Sequence, residues 1–125
     1  VHASNDVRIE AERRDDGIVL ARTSGELDSL GAPVLREHLD GYLGDDVDFV
    51  VDLDGVTFLG SSGLQVLVDT ERSAALRHRR WAVVGNHRVV LRPIELTGLA
   101  GTLPLQPTVP AAISSLKALR PAAVL

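Results

Sequence analysis

The chain has no cysteine. Disulfides, thiol catalysis and thiolate-held metals are therefore excluded. Aromatic residues are scarce, with two Phe, one Trp and one Tyr, so an aliphatic core is expected. Lys117 is the only lysine, and no phosphate-cradling Gly-x-x-x-x-Gly-Lys loop exists. No apolar run approaches the roughly 18 residues of a membrane-spanning helix. No histidine pair has metal-ligand spacing and no acidic pair stands out. No metal and no cofactor is expected. The N-terminus lacks a basic-then-apolar export pattern, which makes a cytoplasmic location the expectation. Val1 in place of Met points to a processed or trimmed start.

What is present suits one folded domain. Hydrophobic residues make up 45% and charged residues 24% of 125, enough to bury a single core without staples. Residues 5–120 read as that domain. A net charge of −4 argues against nucleic acid as the main partner. The run Arg77-His78-Arg79-Arg80 has no interleaved aromatics and reads as complementing the negative end of a helix dipole.

Residues Val7 to Arg13 alternate apolar and charged, predicting a first strand with one solvated face. Asp15-Asp16-Gly17 reads as a turn, and Ile18 to Ser24 as an antiparallel second strand. Gly25 to Ser29 is expected to leave the sheet. Pro33 suits a helix's first turn, with Ala32, Leu35, Leu39, Tyr42 and Leu43 following at helical spacing. A third strand places Val47, Phe49, Val51 and Leu53 on one face and Asp48 and Asp52 on the other. Val50 breaks that alternation, so both faces are expected to be covered. The strand–helix–strand order implies a parallel pair with a right-handed crossover. Asp52 and Asp54 are expected to mark the third strand's exit. A second helix should bury Leu64, Leu67, Val68 and Ala75 and end near His78. Trp81 to Gly85 reads as a buried strand. His87 to Leu96 reads as a helix that either kinks at Pro93 or starts near Arg92, and Gly98 stops it. Thr102 to Leu105 reads as an edge strand. Thr108 caps a final helix with Pro110 in its first turn, Ile113, Leu116 and Leu119 inward, and Pro121 as terminator. The alternation predicts an α/β sandwich of one sheet with helices.

The stretch of most chemical interest is Gly60-Ser61-Ser62-Gly63, between the third strand and the second helix. Ser62 and Gln65 have capping-box spacing, and Ser61 serves equally well as N-cap. A hydroxyl there faces orphan N–H groups and the positive end of a helix dipole, where a phosphate is tolerated. A serine hydrolase is the enzymatic alternative. Its elbow reads Gly-x-Ser-x-Gly, and Gly60-Ser61-Ser62-Gly63 is one residue short for either serine. A triad also needs a histidine. Of His2, His38, His78 and His87, only His87 lies near a strand end. No enzyme is expected.

Three segments resemble one family. Asp52 to Leu64, DLDGVTFLGSSGL, resembles the signature of the STAS domain, and more narrowly of the bacterial anti-sigma factor antagonists. Ser24-Gly25-Glu26-Leu27-Asp28 is similar to that family's GELD segment, and Glu95-Leu96-Thr97-Gly98-Leu99 to its LTGL segment. Their order and spacing agree, and together they cover nearly the whole chain. The resemblance implies a mixed sheet of about five strands, with four or five helices packed mainly on one side. It implies that the protein binds an anti-sigma factor of the serine-kinase type and so releases a sigma factor for transcription, as part of a stress response. It implies phosphorylation at Ser61, with Ser62 as the alternative, turning binding off. The partner-binding residues it implies are Glu26, Asp28, Gly60, Ser61, Ser62 and Gly63. No nucleic acid or membrane partner is expected, and the chain is expected to be a monomer or weak homodimer. The family carries Asp immediately before the two serines, where this chain has Gly60. That departure leaves open a second reading, a constitutive antagonist or scaffold without a phosphorylation switch.

Overall fold

A computed structural model describes residues 7–118. In chain order the elements are β1 (Arg8–Arg13), β2 (Val19–Leu27), α1 (Ala32–Gly44), β3 (Phe49–Leu59), α2 (Ser61–Arg77), β4 (Trp81–Val84), α3 (Arg88–Leu96), β5 (Leu105–Gln106) and α4 (Val109–Ala118). The five strands form one sheet in the order β1-β2-β3-β4-β5. β1 and β2 are antiparallel, and β2, β3, β4 and β5 run parallel. This is the mixed sheet expected from the sequence.

β3 shows why both faces are covered. Phe49, Val51 and Leu53 point into one core, with Leu35 and Leu39 of α1, Leu67 of α2 and Ile94 of α3. Val50 points the other way, into a smaller core with Leu20, Ala82, Val84 and, from α4, Ala112, Ile113 and Leu116. Three helices therefore cover one face and α4 the other. Three of the four aromatic rings gather at the start of β3. Phe49 lies 5.4 Å from Tyr42 and 5.7 Å from Trp81, measured between ring centroids.

Several boundaries differ from expectation. β2 does not end at Ser24. Its register slips between Arg22 and Ser24 and again between Gly25 and Glu26, and pairing with β3 continues to Leu27 opposite Leu59. Gly25 adopts φ +101, a value glycine takes readily. It is the hinge of a bulge rather than a strand end. β3 likewise passes Asp52 and Asp54 and runs on to Leu59. α2 buries Gly63, Leu64, Val66, Leu67, Thr70 and Ala74, whereas Val68 is half-buried and Ala75 exposed. The inward stripe is thus rotated from the expected one. α3 starts at Arg88, so Pro93 stands in its body and not in its first turn. The last strand forms at Leu105–Gln106, later than expected. Thr108 does cap α4, its Oγ1 accepting Ala111 N at 3.2 Å. Leu119 and Pro121 lie outside the described residues.

The basic run after α2 is committed to the fold. Arg77 Nη1 donates to Leu43 O at 3.3 Å, Arg79 to Asp46 O, and Arg80 to Leu116 O at 3.3 Å. Among the described residues no helix is long and apolar enough to cross a membrane.

Candidate functional site

Parallel pairing brings the C-terminal ends of β2 and β3 to the same edge of the sheet. The last bond of that pairing is a lock, since Gly60 N donates to Leu27 O at 3.1 Å. Gly63 sits directly over it. A Cβ on Gly63 would come within 2.9 Å of Leu27 Cβ and 3.0 Å of Leu27 O, so the start of α2 packs on the end of β2 closer than any side chain permits. The GELD and Gly-Ser-Ser-Gly segments, more than thirty residues apart in sequence, thereby form one surface.

Within it the residues have distinct roles. Glu26 and Ser61 are exposed, Gly60, Ser62 and Asp28 are half-buried, and Gly63 is buried. Gly63 sets the shape of the turn and offers no surface. Asp28 is occupied locally. Its Oδ1 accepts Leu30 N at 3.0 Å and Gly31 N at 2.8 Å, and its carbonyl accepts Ala32 N at 2.8 Å. The carboxylate therefore organises the entry to α1.

The expected capping box does not form. α2 starts at Ser61 with Gly60 as N-cap and no side-chain cap. Gln65 turns forward instead, its Nε2 donating to Asp69 Oδ1 at 2.8 Å. Arg36 of α1 pairs with the same carboxylate at 2.8 Å. Arg36 first, then Gln65, holds the Asp69 carboxyl below its ordinary value. No acidic residue occupies the first turn of α2, so the positive end of its dipole faces outward uncompensated. Ser61 and Ser62 also face different neighbours. Ser61 borders a groove against α3, and Ser62 a cleft between α1 and α2 with Ser29, Pro33 and Arg36.

Among the described residues neither His87 nor His38 hydrogen-bonds a serine. His87 Nε2 donates to Asp54 O at 2.9 Å, and His38 Nδ1 contacts Val34 O within its own helix at 3.0 Å. His2 lies outside the described residues. The LTGL segment is a helix stop. Leu99 N donates to Ile94 O at 2.9 Å and Gly98 N to Glu95 O at 3.1 Å, with Gly98 at φ +74, which is a Schellman closure.

Residues 8–112 match the STAS domain family. The chain belongs to that family. Among STAS proteins it is similar to the anti-sigma-F factor antagonist RsfB of Mycobacterium tuberculosis, 32% identical over 103 residues, 82% of this chain and 84% of that protein. It is also similar to the anti-sigma-B factor antagonist of Listeria monocytogenes, 28% identical over 101 residues, 80% of this chain and 89% of that protein. The crystal structure of an anti-sigma factor antagonist from Mycobacterium paratuberculosis superposes with a TM-score of 0.84 at 33% identity, covering 94% of this chain and 99% of that one. The match covers 84%, 89% and 99% of those three proteins.

Sequence reasoning missed part of the surface beside Ser61. Phe58, Val89 and Leu96 are apolar yet exposed and line the groove that Ser61 borders. Phe58 follows directly on the Val56–Thr57 alternation, and Leu96 lies inside the LTGL segment. Nothing in the spacing marks these positions as surface.

Proposed function

We propose that this STAS protein is an anti-sigma factor antagonist that docks on a serine-kinase-type anti-sigma factor, frees a sigma factor, and is switched off by phosphorylation at Ser61. The observation that carries this reading is the exposed Ser61 at the start of α2, on a turn tied to the end of β2 by the Gly60 N to Leu27 O bond. The named relatives support the partner class. Docking centres on the Gly60–Gly63 turn, Glu26 and the exposed side of α2, and a specific contact of this kind buries about 1,200–2,000 Å² in total. A phosphate on Ser61 adds about −1.5 to −2 charges. The uncapped start of α2 accommodates that charge, so the fold survives, while a partner packed on the serine must desolvate or repel it. A penalty of about 3 kcal/mol weakens binding roughly a hundredfold.

Ser61→Ala is expected to bind the cognate anti-sigma factor and to resist inactivation by kinase and ATP. Ser61→Glu is expected to bind weakly. Titration calorimetry and the mass of the incubated protein check both. A constitutive antagonist is the second reading, favoured by Gly60 standing where the family has Asp. Full binding by Ser61→Glu, with no mass gain at Ser61 in the wild type, selects it.

A further inference from the structure

β4 stops opposite Asp52, and α3 packs along the remainder of β3. Between the end of β3 and α3 lies a groove of about 600 Å³. Its apolar walls include Phe58, Leu64, Val89 and Leu96. Three of these are large and exposed, Phe58 at 50%, Val89 at 40% and Leu96 at 70%. Apolar side chains gathered in one concave place mark an interaction surface, unlike the scattered apolar residues of an ordinary exterior.

The charge around the groove has one sign. Arg88 and Arg92 stand four residues apart on α3 and line it, and no Asp or Glu does. Among the described residues neither arginine forms an ion pair, which is also true of Arg8, Arg13, Arg72 and Arg77, but only Arg88 and Arg92 line this apolar groove. In a chain of net charge −4, these two free cations beside an apolar wall are matched to an anionic, apolar occupant. An anionic membrane is the poorer match, because lipid-binding patches gather about 4–8 cations.

We propose that this groove docks an acidic amphipathic segment of a partner protein, its bulky apolar side chains against Phe58, Val89 and Leu96 and its carboxylates against Arg88 and Arg92. The inference rests on these side chains and not on the partner being an anti-sigma factor. The groove adjoins Ser61, so one partner can occupy it together with the Gly60–Gly63 surface.

The test is to pan a displayed library of random peptides about twelve residues long, some 18 Å as a helix, against the full chain. The comparison proteins are Arg88→Glu/Arg92→Glu and Leu96→Ser, all at exposed positions. Retained peptides are expected to combine Asp or Glu with at least two bulky apolar residues. A synthetic copy should shift the amides of Phe58, Val89 and Leu96. It should bind each comparison protein about tenfold more weakly or worse, and weaken at high salt. Several results overturn the proposal: no retained peptide, retained peptides without acids, or equal binding to the charge-reversed protein. Two others do so by naming a different occupant. One is a wild-type dimer in sedimentation that Leu96→Ser dissociates, and the other is Arg88- and Arg92-dependent flotation with phosphatidylserine vesicles. The library contains no anti-sigma factor, so failure here leaves the proposed function standing, and failure there leaves the groove standing.

Discussion

Gly60 has φ −98 and ψ −175, extended backbone that any residue adopts. The turn itself therefore does not require glycine. What a side chain at position 60 would meet is the Phe58 ring, whose Cε2 would lie 2.8 Å from the added Cβ. That ring is half exposed and free to swing aside. Gly60→Asp would also add a side-chain cap to α2, where Asp exceeds Gly by only a few tenths of a kcal/mol. The two effects oppose each other, so stability should change by less than about 0.5 kcal/mol. The Phe58 ring resonances should move, and phosphate transfer to Ser61 by the cognate kinase should quicken. Urea melts, aromatic spectra and transfer rates check the three. A stability loss beyond about 2 kcal/mol would show that the ring is fixed over Gly60. The sequence marked position 60 as unusual through its missing carboxylate. The Phe58 ring that fills the space is a tertiary contact, which spacing along the chain does not encode.

At the scale of elements, α2 carries the clearest lesson. Leu64 and Leu67 were legible as core because large aliphatic residues at helical spacing face inward in almost any packing. The rest of the stripe was misread because Thr70 and Ala74 are small and not strongly apolar. They are buried on the face that packs toward α1 and the sheet, where little room remains for larger side chains. Val68 looked like a better core residue and is half out. Leu67 is fully buried, so Leu67→Ala is expected to cost about 2–5 kcal/mol. Ala75→Ser, on the exposed face, is expected to cost less than about 0.5 kcal/mol. Denaturant midpoints for the pair test the rotated stripe, and a comparable loss from Ala75→Ser would restore the original face. β2 and β3 run further than the spacing of Gly25 and of Asp52 and Asp54 suggests. Gly25 and Gly55 look like strand breakers in one dimension. In the sheet, Gly25 turns the bulge, and Gly55 lies where an added Cβ would come within 2.9 Å of Ser24 Cβ. The breakers let the two strands stay paired as far as Leu27 and Leu59, and that pairing is what builds the site.

At the scale of the whole molecule, the parallel strands give it two unlike ends. The C-terminal ends of β2 and β3 carry Glu26, Ser61 and the α3 groove. The opposite end is held by ion pairs. Asp48 accepts Arg80 N at 3.0 Å and pairs with the Arg80 guanidinium at 2.9 Å. Asp16, in the β1–β2 turn, accepts Ile18 N at 3.1 Å and pairs with Arg14 at 3.1 Å and with Lys117 of α4 at 3.3 Å. The Arg14 hydrogen bond, aided by Ile18 N and Lys117, holds the Asp16 carboxyl at about 2 against an ordinary 3.8. The folded value lies below the unfolded one. The carboxylate's contribution is therefore complete above pH 3.8 and is lost as pH falls toward about 2. Arg14 and Lys117 are 34% and 58% exposed, so water screens both pairs and the contribution stays below about 1 kcal/mol. Asp16→Asn should lower stability by that amount at neutral pH and remove this part of the acid dependence. It should leave docking at the far end unchanged, because no Asp16 contact reaches β3's C-terminal end. Chemical denaturation across the acid range, paired with a binding titration at neutral pH, checks both halves. A carboxyl titration midpoint near 3.8 for Asp16 would remove the ion-pair account, and lost docking in Asp16→Asn would mean that the two ends are coupled through the sheet.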